Sequence, residues 1–305
     1  METKCYTEIA PGVWSLKIVF VNIFMITTGP EEWVLVDAGL KGSAGKILEM
    51  ADDLFGEDIP PSAIILTHGH FDHTGALKAL LKKWNVQVYA HPLELPYLTG
   101  VSSYPPADPT AGGGMMSFMS FLYPKKPIDL STHVHALDKD GSLPYMPGWR
   151  YIHTPGHAPG HISLFRDQDK VLIAGDAFVT VKAESLLSVI TQKKELSGPP
   201  KYFTPNWLAA AMSVKKLRDL KPEIAGTGHG PAISGEELTQ GLGNLADNFQ
   251  TLAIPPQGRY IREPAKMNRK GLQYLPPEPF NKAWIASVFV LSAILVFGLV
   301  RQTRK

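Results

Sequence analysis

Six consecutive residues, His68-Gly69-His70-Phe71-Asp72-His73, carry three imidazoles and one carboxylate. They follow Ala63-Ile64-Ile65-Leu66-Thr67, an apolar, β-prone run that reads as a buried strand. They precede Thr74-Gly75-Ala76 and a stretch to Trp84 whose apolar spacing reads as an amphipathic helix. A chain leaving a strand through such a turn fans its side chains into one crevice, where ligands sit in α/β sheets. Gly69 permits the sharp change of direction. Imidazole nitrogen combined with carboxylate oxygen is the donor set of a hydrolytic zinc site.

Further donors follow in three glycine-framed places. His157 lies in Thr154-Pro155-Gly156-His157-Ala158-Pro159-Gly160-His161. Asp176 ends Leu172-Ile173-Ala174-Gly175-Asp176, and His229 sits in Gly226-Thr227-Gly228-His229-Gly230. Glycine suits backbone that passes close behind a metal or turns sharply there. The His-x-His-x-Asp-His motif, followed in order by Gly-His, Gly-Asp and Gly-His-Gly, resembles the metallo-β-lactamase superfamily over roughly residues 10–250.

That resemblance implies a mixed α/β fold, an αββα sandwich with metals along one edge between two sheets. It implies that His68, His70 and His157 hold one metal, that Asp72, His73 and His229 hold a second, and that Asp176 bridges them. Seven donors exceed what one tetrahedral ion takes, and suit two ions ~3.5–4 Å apart. Two zinc ions are expected, although iron or manganese accepts the same donors. Such a pair lowers the pKa of a shared water from ~16 toward ~7, so a metal-bridging hydroxide is the expected nucleophile. Asp72 and Asp176 are the expected catalytic carboxylates. No Gly-x-Ser-x-Gly elbow is present to offer a serine instead.

Within the superfamily the chain looks most like bacterial hydrolases near the glyoxalase II and acyl-homoserine-lactone lactonase branches. The reaction this implies is cleavage of an ester, thioester or lactone bond in a small molecule with an apolar portion. Two alternatives stand beside it: a mononuclear iron persulfide dioxygenase, and a non-catalytic metal-binding sensor or scaffold. Asp176 occupies the bridging position, whereas penicillin-cleaving relatives often place a cysteine at a zinc position; this points away from β-lactam hydrolysis.

Two residues are expected to steady the ligands. Asp37, at the end of the strand-like Trp33-Val34-Leu35-Val36, is either a partner to a ligand imidazole or a turn-forming aspartate. His161 is expected to orient its loop or to hydrogen-bond a ligand. His91 and His153 read as structural, and His133 and His135 share one face of a strand.

A chain of 305 residues with 44% hydrophobic and 19% charged residues is globular, and its net charge of +2 argues against nucleic-acid binding. The single cysteine, Cys5, cannot form an internal disulfide. A catalytic domain is expected over 1–252. Within it, residues 92–135 break the strand–helix alternation with Pro- and Gly-rich stretches, and read as a lid or insert. Its methionines and phenylalanines would form an adaptable apolar wall.

Residues 253–282, rich in proline and charge, read as a linker. Residues 283–300 then run without a charge. As a helix they would span ~27 Å, close to the ~30 Å hydrocarbon core. Trp284 marks one end, and the basic tail 301–305, with Arg301, Arg304 and Lys305, closes the other. A single-pass membrane anchor is expected. The missing signal peptide and the basic residues Lys266, Arg269, Lys270 and Lys282 favour a cytoplasmic catalytic domain. The oligomeric state is left open.

Overall fold

The computed structural model describes residues 6–278. Cys5, the uncharged run 283–300 and the basic tail 301–305 lie outside the described residues.

The first half begins with four antiparallel strands, β1 (Tyr6–Ala10), β2 (Val13–Ile18), β3 (Val21–Gly29) and β4 (Glu32–Val36). Helix α1 (Ala44–Phe55) crosses over to β5 (Ala63–Ile65), which lies parallel to β4. Helices α2 (Phe71–Thr74) and α3 (Leu77–Trp84) lead to β6 (Val88–Ala90). The insert then carries α4 (Leu95–Leu98) and α5 (Met115–Met119) before β7 (Val134–Ala136) completes a sheet ordered β1 to β7.

The second half holds β8 (Trp149–His153), β9 (Ile162–Arg166), β10 (Val171–Ile173), α6 (Leu186–Thr191), α7 (Trp207–Asp219), β11 (Ile224–Gly226), β12 (Ile233–Ser234) and α8 (Gly235–Asp247). Its sheet runs β12-β11-β10-β9-β8, with β10 and β11 parallel. A short α9 (Phe249–Leu252) and a hairpin of β13 (Lys266–Asn268) and β14 (Gly271–Tyr274) follow.

The alternation of side chains along each strand makes the layers. From β3 and β4, Ile23, Met25, Trp33 and Leu35 face α1 and α3, where they meet Ile47, Met50, Leu77, Leu80 and Trp84. Their neighbours Phe24, Ile26, Val34 and Val36 point the other way, against Ile162, Leu164, Val171 and Ile173 of the second sheet. Beyond that sheet, Leu172, Ala174 and Ala225 pack on Trp207, Val214, Leu217, Leu242 and Leu245 of α7 and α8. The order is therefore helix, sheet, sheet, helix, around three apolar cores. Each fully buried Leu, Ile or Val contributes about 1.5–3 kcal/mol relative to exposure. Local signals agree with the helix ends: Asn206 Oδ1 accepts from the Ala209 N–H at 3.0 Å, and α3 stops where Asn85 turns left-handed at φ 49.

The expected linker is corrected over the part described. Residues 253–278 pack on the catalytic body, with Ala253, Tyr260 and Ala265 buried among α7 and α8 and Met267, Leu272 and Leu275 against them. Tyr260 Oη donates to the Pro106 carbonyl at 2.6 Å, and the Leu272 N–H to Ser102 Oγ at 3.1 Å. This segment thus clasps the 92–135 insert. Its apolar residues come singly or in pairs between prolines, charges and polar residues, so no sustained strand or helix period marks them in the sequence.

His91 and His153 stack with ring centroids 4.1 Å apart. Burial, with His153 and Arg269 adding to it, pushes His91 down from 6.5 to about 4. The unfolded chain takes up this proton near 6.5, before the folded chain does, so acid favours unfolding. The contribution is complete above pH 6.5 and is lost as pH falls from 6.5 to 4. Denaturant titrations of the parent and His91→Phe across that window should show the variant losing less stability with acid. Equal pH slopes would contradict the assignment.

Candidate metal centre

The strands deliver their donors to one edge of the sandwich. His68 follows the carboxyl end of β5, Asp176 that of β10, His229 that of β11, and His157 lies in the β8–β9 loop. His68 Nε2 and His70 Nδ1 are 3.0 Å apart, and His70 Nδ1 and His157 Nε2 are 2.9 Å apart. Burial, with neighbouring imidazoles adding to it, holds all three rings neutral: His68 and His157 fall well below 6.5, and His70 falls to about 3. Thr67 Oγ1 donates to Asp37 Oδ2 at 2.7 Å and faces His68 Nδ1 at 3.1 Å. The proton on His68 therefore belongs at Nδ1, which leaves Nε2 a lone pair. Lone pairs converging in a dry pocket suit a cation between them.

A second group brings Asp72, His73 and His229 together, with ligand atoms within 4.8 Å of one another. His73 Nδ1 donates to Asp37 Oδ2 at 2.8 Å, and its Nε2 is buried without a hydrogen-bond partner. His229 Nδ1 donates to the Phe20 carbonyl at 2.8 Å, so its Nε2 faces inward. Asp176 lies between the two groups. Its Oδ2 is 3.1 Å from His229 Nε2 and 3.4 Å from His157 Nε2, and its Oδ1 is 3.6 Å from His73 Nε2. Oδ1 is buried with no hydrogen bond.

The electrostatics have one theme. Burial alone would lower His73, but the Asp37, Asp176 and Asp72 carboxylates raise it well above 6.5. Asp176 falls well below the carboxylate range because His229 and His73 outweigh its burial. Burial raises Asp72. Three carboxylates in a water-poor pocket demand positive charge, either as protons on His73 and His229 or as metal cations. Orphaned buried donor atoms, neutral imidazoles and excess carboxylate together fit metal ions.

His161 stands outside these groups. Its Nε2 accepts the Asp176 backbone N–H at 2.8 Å, and its Nδ1 faces Thr154 Oγ1 at 2.8 Å. Asp37 lies beside His73. Its backbone is left-handed at φ 63, and its carboxylate accepts from Thr67 N–H, Thr67 Oγ1 and His73 Nδ1.

Glu94 and Tyr104 were not legible as site residues. Glu94 is fully buried at the start of the insert. Its Oε2 accepts the Gly69 N–H at 2.9 Å and the Tyr104 hydroxyl; its Oε1 accepts the Gly160 N–H at 2.7 Å. One carboxylate thus ties the His68–His73 turn to the His157–His161 loop. Burial pushes Glu94 up to about 7 against the pull of those three donors. Its glycine partners are 25 and 66 positions away, so no local signal could mark it. Glu94→Gln would turn an amide NH2 toward one glycine N–H. Chelator competition should show metal affinity lowered about 10–100-fold with the far-UV spectrum kept. Unchanged affinity would refute the tie.

A cavity of 870 Å³ opens beside His70, walled by Phe71, Tyr104, Tyr123 and Phe203. The insert supplies Tyr104 and Tyr123 to this wall. Two further cavities, of 530 and 590 Å³, touch none of the seven donor side chains.

A family model described as "Metallo-beta-lactamase superfamily" matches residues 16–229. "Probable metallo-hydrolase YflN" of Bacillus subtilis (strain 168) is 47% identical over 247 residues, covering 80% of this chain and 94% of that protein. "Probable metallo-hydrolase YybB" of the same strain is 28% identical, covering 72% of this chain and 84% of its own. Among solved structures, the metallo-beta-lactamase family protein TTHA1429 of Thermus thermophilus superposes with a TM-score of 0.55 at 21% identity, over 80% of this chain and 81% of that one. That last likeness is one of fold.

Proposed function

Since the chain belongs to the metallo-β-lactamase superfamily, we propose that it is a dinuclear metallo-hydrolase acting on an ester, thioester or lactone bond in a small molecule with an apolar portion. The observation that carries this reading is the Asp176 carboxylate, set within 3.6 Å of His73, His157 and His229 and so between two groups of donors. One group is His68, His70 and His157, and the other is Asp72, His73 and His229. Bound there, two zinc ions would acidify water from ~16 toward ~7 and polarise a carbonyl. The chain's own groups do the rest. Asp37 fixes the His73 tautomer, and His161 holds the backbone of Asp176. Asp72, with its Oδ2 3.6 Å from His229 Nε2, would complete the second group of donors, and the buried setting keeps bulk water out.

Elemental mass spectrometry on protein purified without added metal, paired with a panel of small lactones and thioesters, tests this. Close to two zinc ions per chain with turnover of a panel member supports it. One iron per chain without hydrolysis would sink it in favour of oxygen-dependent persulfide chemistry.

We also propose that residues 283–300 anchor the protein in a membrane, with the catalytic body on the cytoplasmic side. The support is eighteen residues without a charge, bounded by Trp284 and a basic tail. No helix among the described residues is long and apolar enough to cross a membrane, and this run lies outside them. Full-length protein should remain in the membrane pellet through a high-salt wash and leave it when 283–305 are removed. Recovery of the intact chain in the supernatant would contradict the anchor.

A further inference from the structure

The cavity beside His70 joins two kinds of surface. Its wall is aromatic: Phe203 lies 4.8 Å from the His70 ring and 5.7 Å from Tyr123, and Tyr123 lies 5.7 Å from Phe71. Four lysines, Lys41, Lys78, Lys125 and Lys126, also line it and are exposed, and no Asp or Glu lines it. In a chain of 30 Lys and Arg against 28 Asp and Glu, four cations without an acid on one cavity is a local excess. The lysines come from three distant places: the turn after β4, helix α3, and the insert. Four lysines elsewhere pair with carboxylates: Lys83 with Asp58, Lys170 with Glu223, Lys194 with Glu237 and Lys266 with Glu263. Among the described residues, none of the four cavity lysines is in an ion pair. Asp129, beside this region, accepts at Oδ1 from Ser131 N–H and Oγ; those bonds and, more weakly, the Lys78 charge hold its carboxyl low.

We propose that this cavity selects anionic amphiphiles, so that the substrate is an ester or thioester whose apolar group lies on the aromatic wall and whose negatively charged group meets the lysines. The proposal rests on the hydrolytic reading for the bond that is cut; the recognition itself does not. Desolvation of the apolar group against Phe71, Tyr123 and Phe203 supplies affinity. The lysine charges supply discrimination between anionic and neutral molecules, and this part weakens with salt because the charges are exposed.

Two non-hydrolysable thioethers separate the terms: 3-(butylthio)propane-1-sulfonate and the neutral 3-(butylthio)propan-1-ol. A sulfonate is a poor metal ligand, so its preference reports the lysines. Calorimetric titration of full-length, metal-loaded protein should show the sulfonate binding about tenfold tighter at low salt. The preference should shrink toward unity at high salt and in the Lys125→Ala/Lys126→Ala and Lys41→Ala/Lys78→Ala double variants. Equal affinity for the two compounds, or a preference that both double variants retain, would overturn the inference. Turnover of the matching acyl thioesters is measured alongside. An intact binding preference with no hydrolysis would sink the hydrolytic reading and leave the anionic selectivity standing.

Discussion

Asp176→Ala is expected to lower kcat by about 10³-fold or more, which corresponds to about 4 kcal/mol of transition-state stabilisation. On the dinuclear reading proposed above, it is also expected to drop bound metal from two ions per chain toward one. The carboxylate faces His229, His157 and His73 at 3.1, 3.4 and 3.6 Å, so no other side chain replaces it for either group of donors. Its loss leaves His73 and His229 buried with less negative charge to balance a cation. The fold should survive, because the hydrogen bond at this position that involves His161 is made by the backbone N–H, which alanine keeps. Asp176→Asn preserves shape and removes charge, so an equal loss in that variant would assign the effect to charge. Metal content, steady-state kinetics and far-UV circular dichroism on the same preparations decide it. Full turnover in Asp176→Ala would refute its place at the centre of the site.

Gly228→Ala is expected to cost at least about 10²-fold in kcat, through Asp176 again. A Cβ at Gly228 would sit 2.0 Å from Asp176 Oδ1 and 3.0 Å from His73 Cε1. The backbone cannot step back to make room. The Gly228 N–H donates to the Gly175 carbonyl at 2.8 Å, and its carbonyl accepts the Asn22 N–H at 2.7 Å. The carboxylate must therefore move by on the order of 1 Å, and displacements of that size at reacting groups cost about 10²-fold. Thermal unfolding of the variant separates this from global loss of structure. A folded Gly228→Ala enzyme with full activity would mean that Asp176 works from another position than the one observed.

The two predictions differ in what made them visible. Asp176 stands out in the sequence because Gly-Asp ends an apolar strand and follows the His-rich turn in order. His68, His70, His157 and His229 stand out for similar local reasons: a short β-run, a glycine and a donor. Strand ends on one side of an α/β sheet share an edge, so donors recognised one turn at a time meet in space. Gly228 is visible only as a glycine beside a donor. That its missing side chain makes room for a carboxylate 52 positions earlier, from Asp176 to Gly228, is a tertiary fact.

The layers follow the same division. Near-continuous apolar runs in β3 and β4 announce two-sided burial, and α1, α3 and α7 carry apolar faces at helical spacing. Residues 253–278 announce nothing of the kind, yet Tyr260 and Ala265 are core. Thus the sequence alone determined the donor chemistry, the order of the strands and helices that present it, and the family. Tertiary structure decided the Glu94 tie between two ligand loops, the folding of the proline-rich segment onto the insert, and the gathering of four lysines around one aromatic cavity. The physical reason is range. Strand, turn and helix signals lie within a few residues and follow a period, whereas burial of a lone carboxylate or convergence of separate charges depends on partners tens to hundreds of residues away, for which a linear pattern has no period to show.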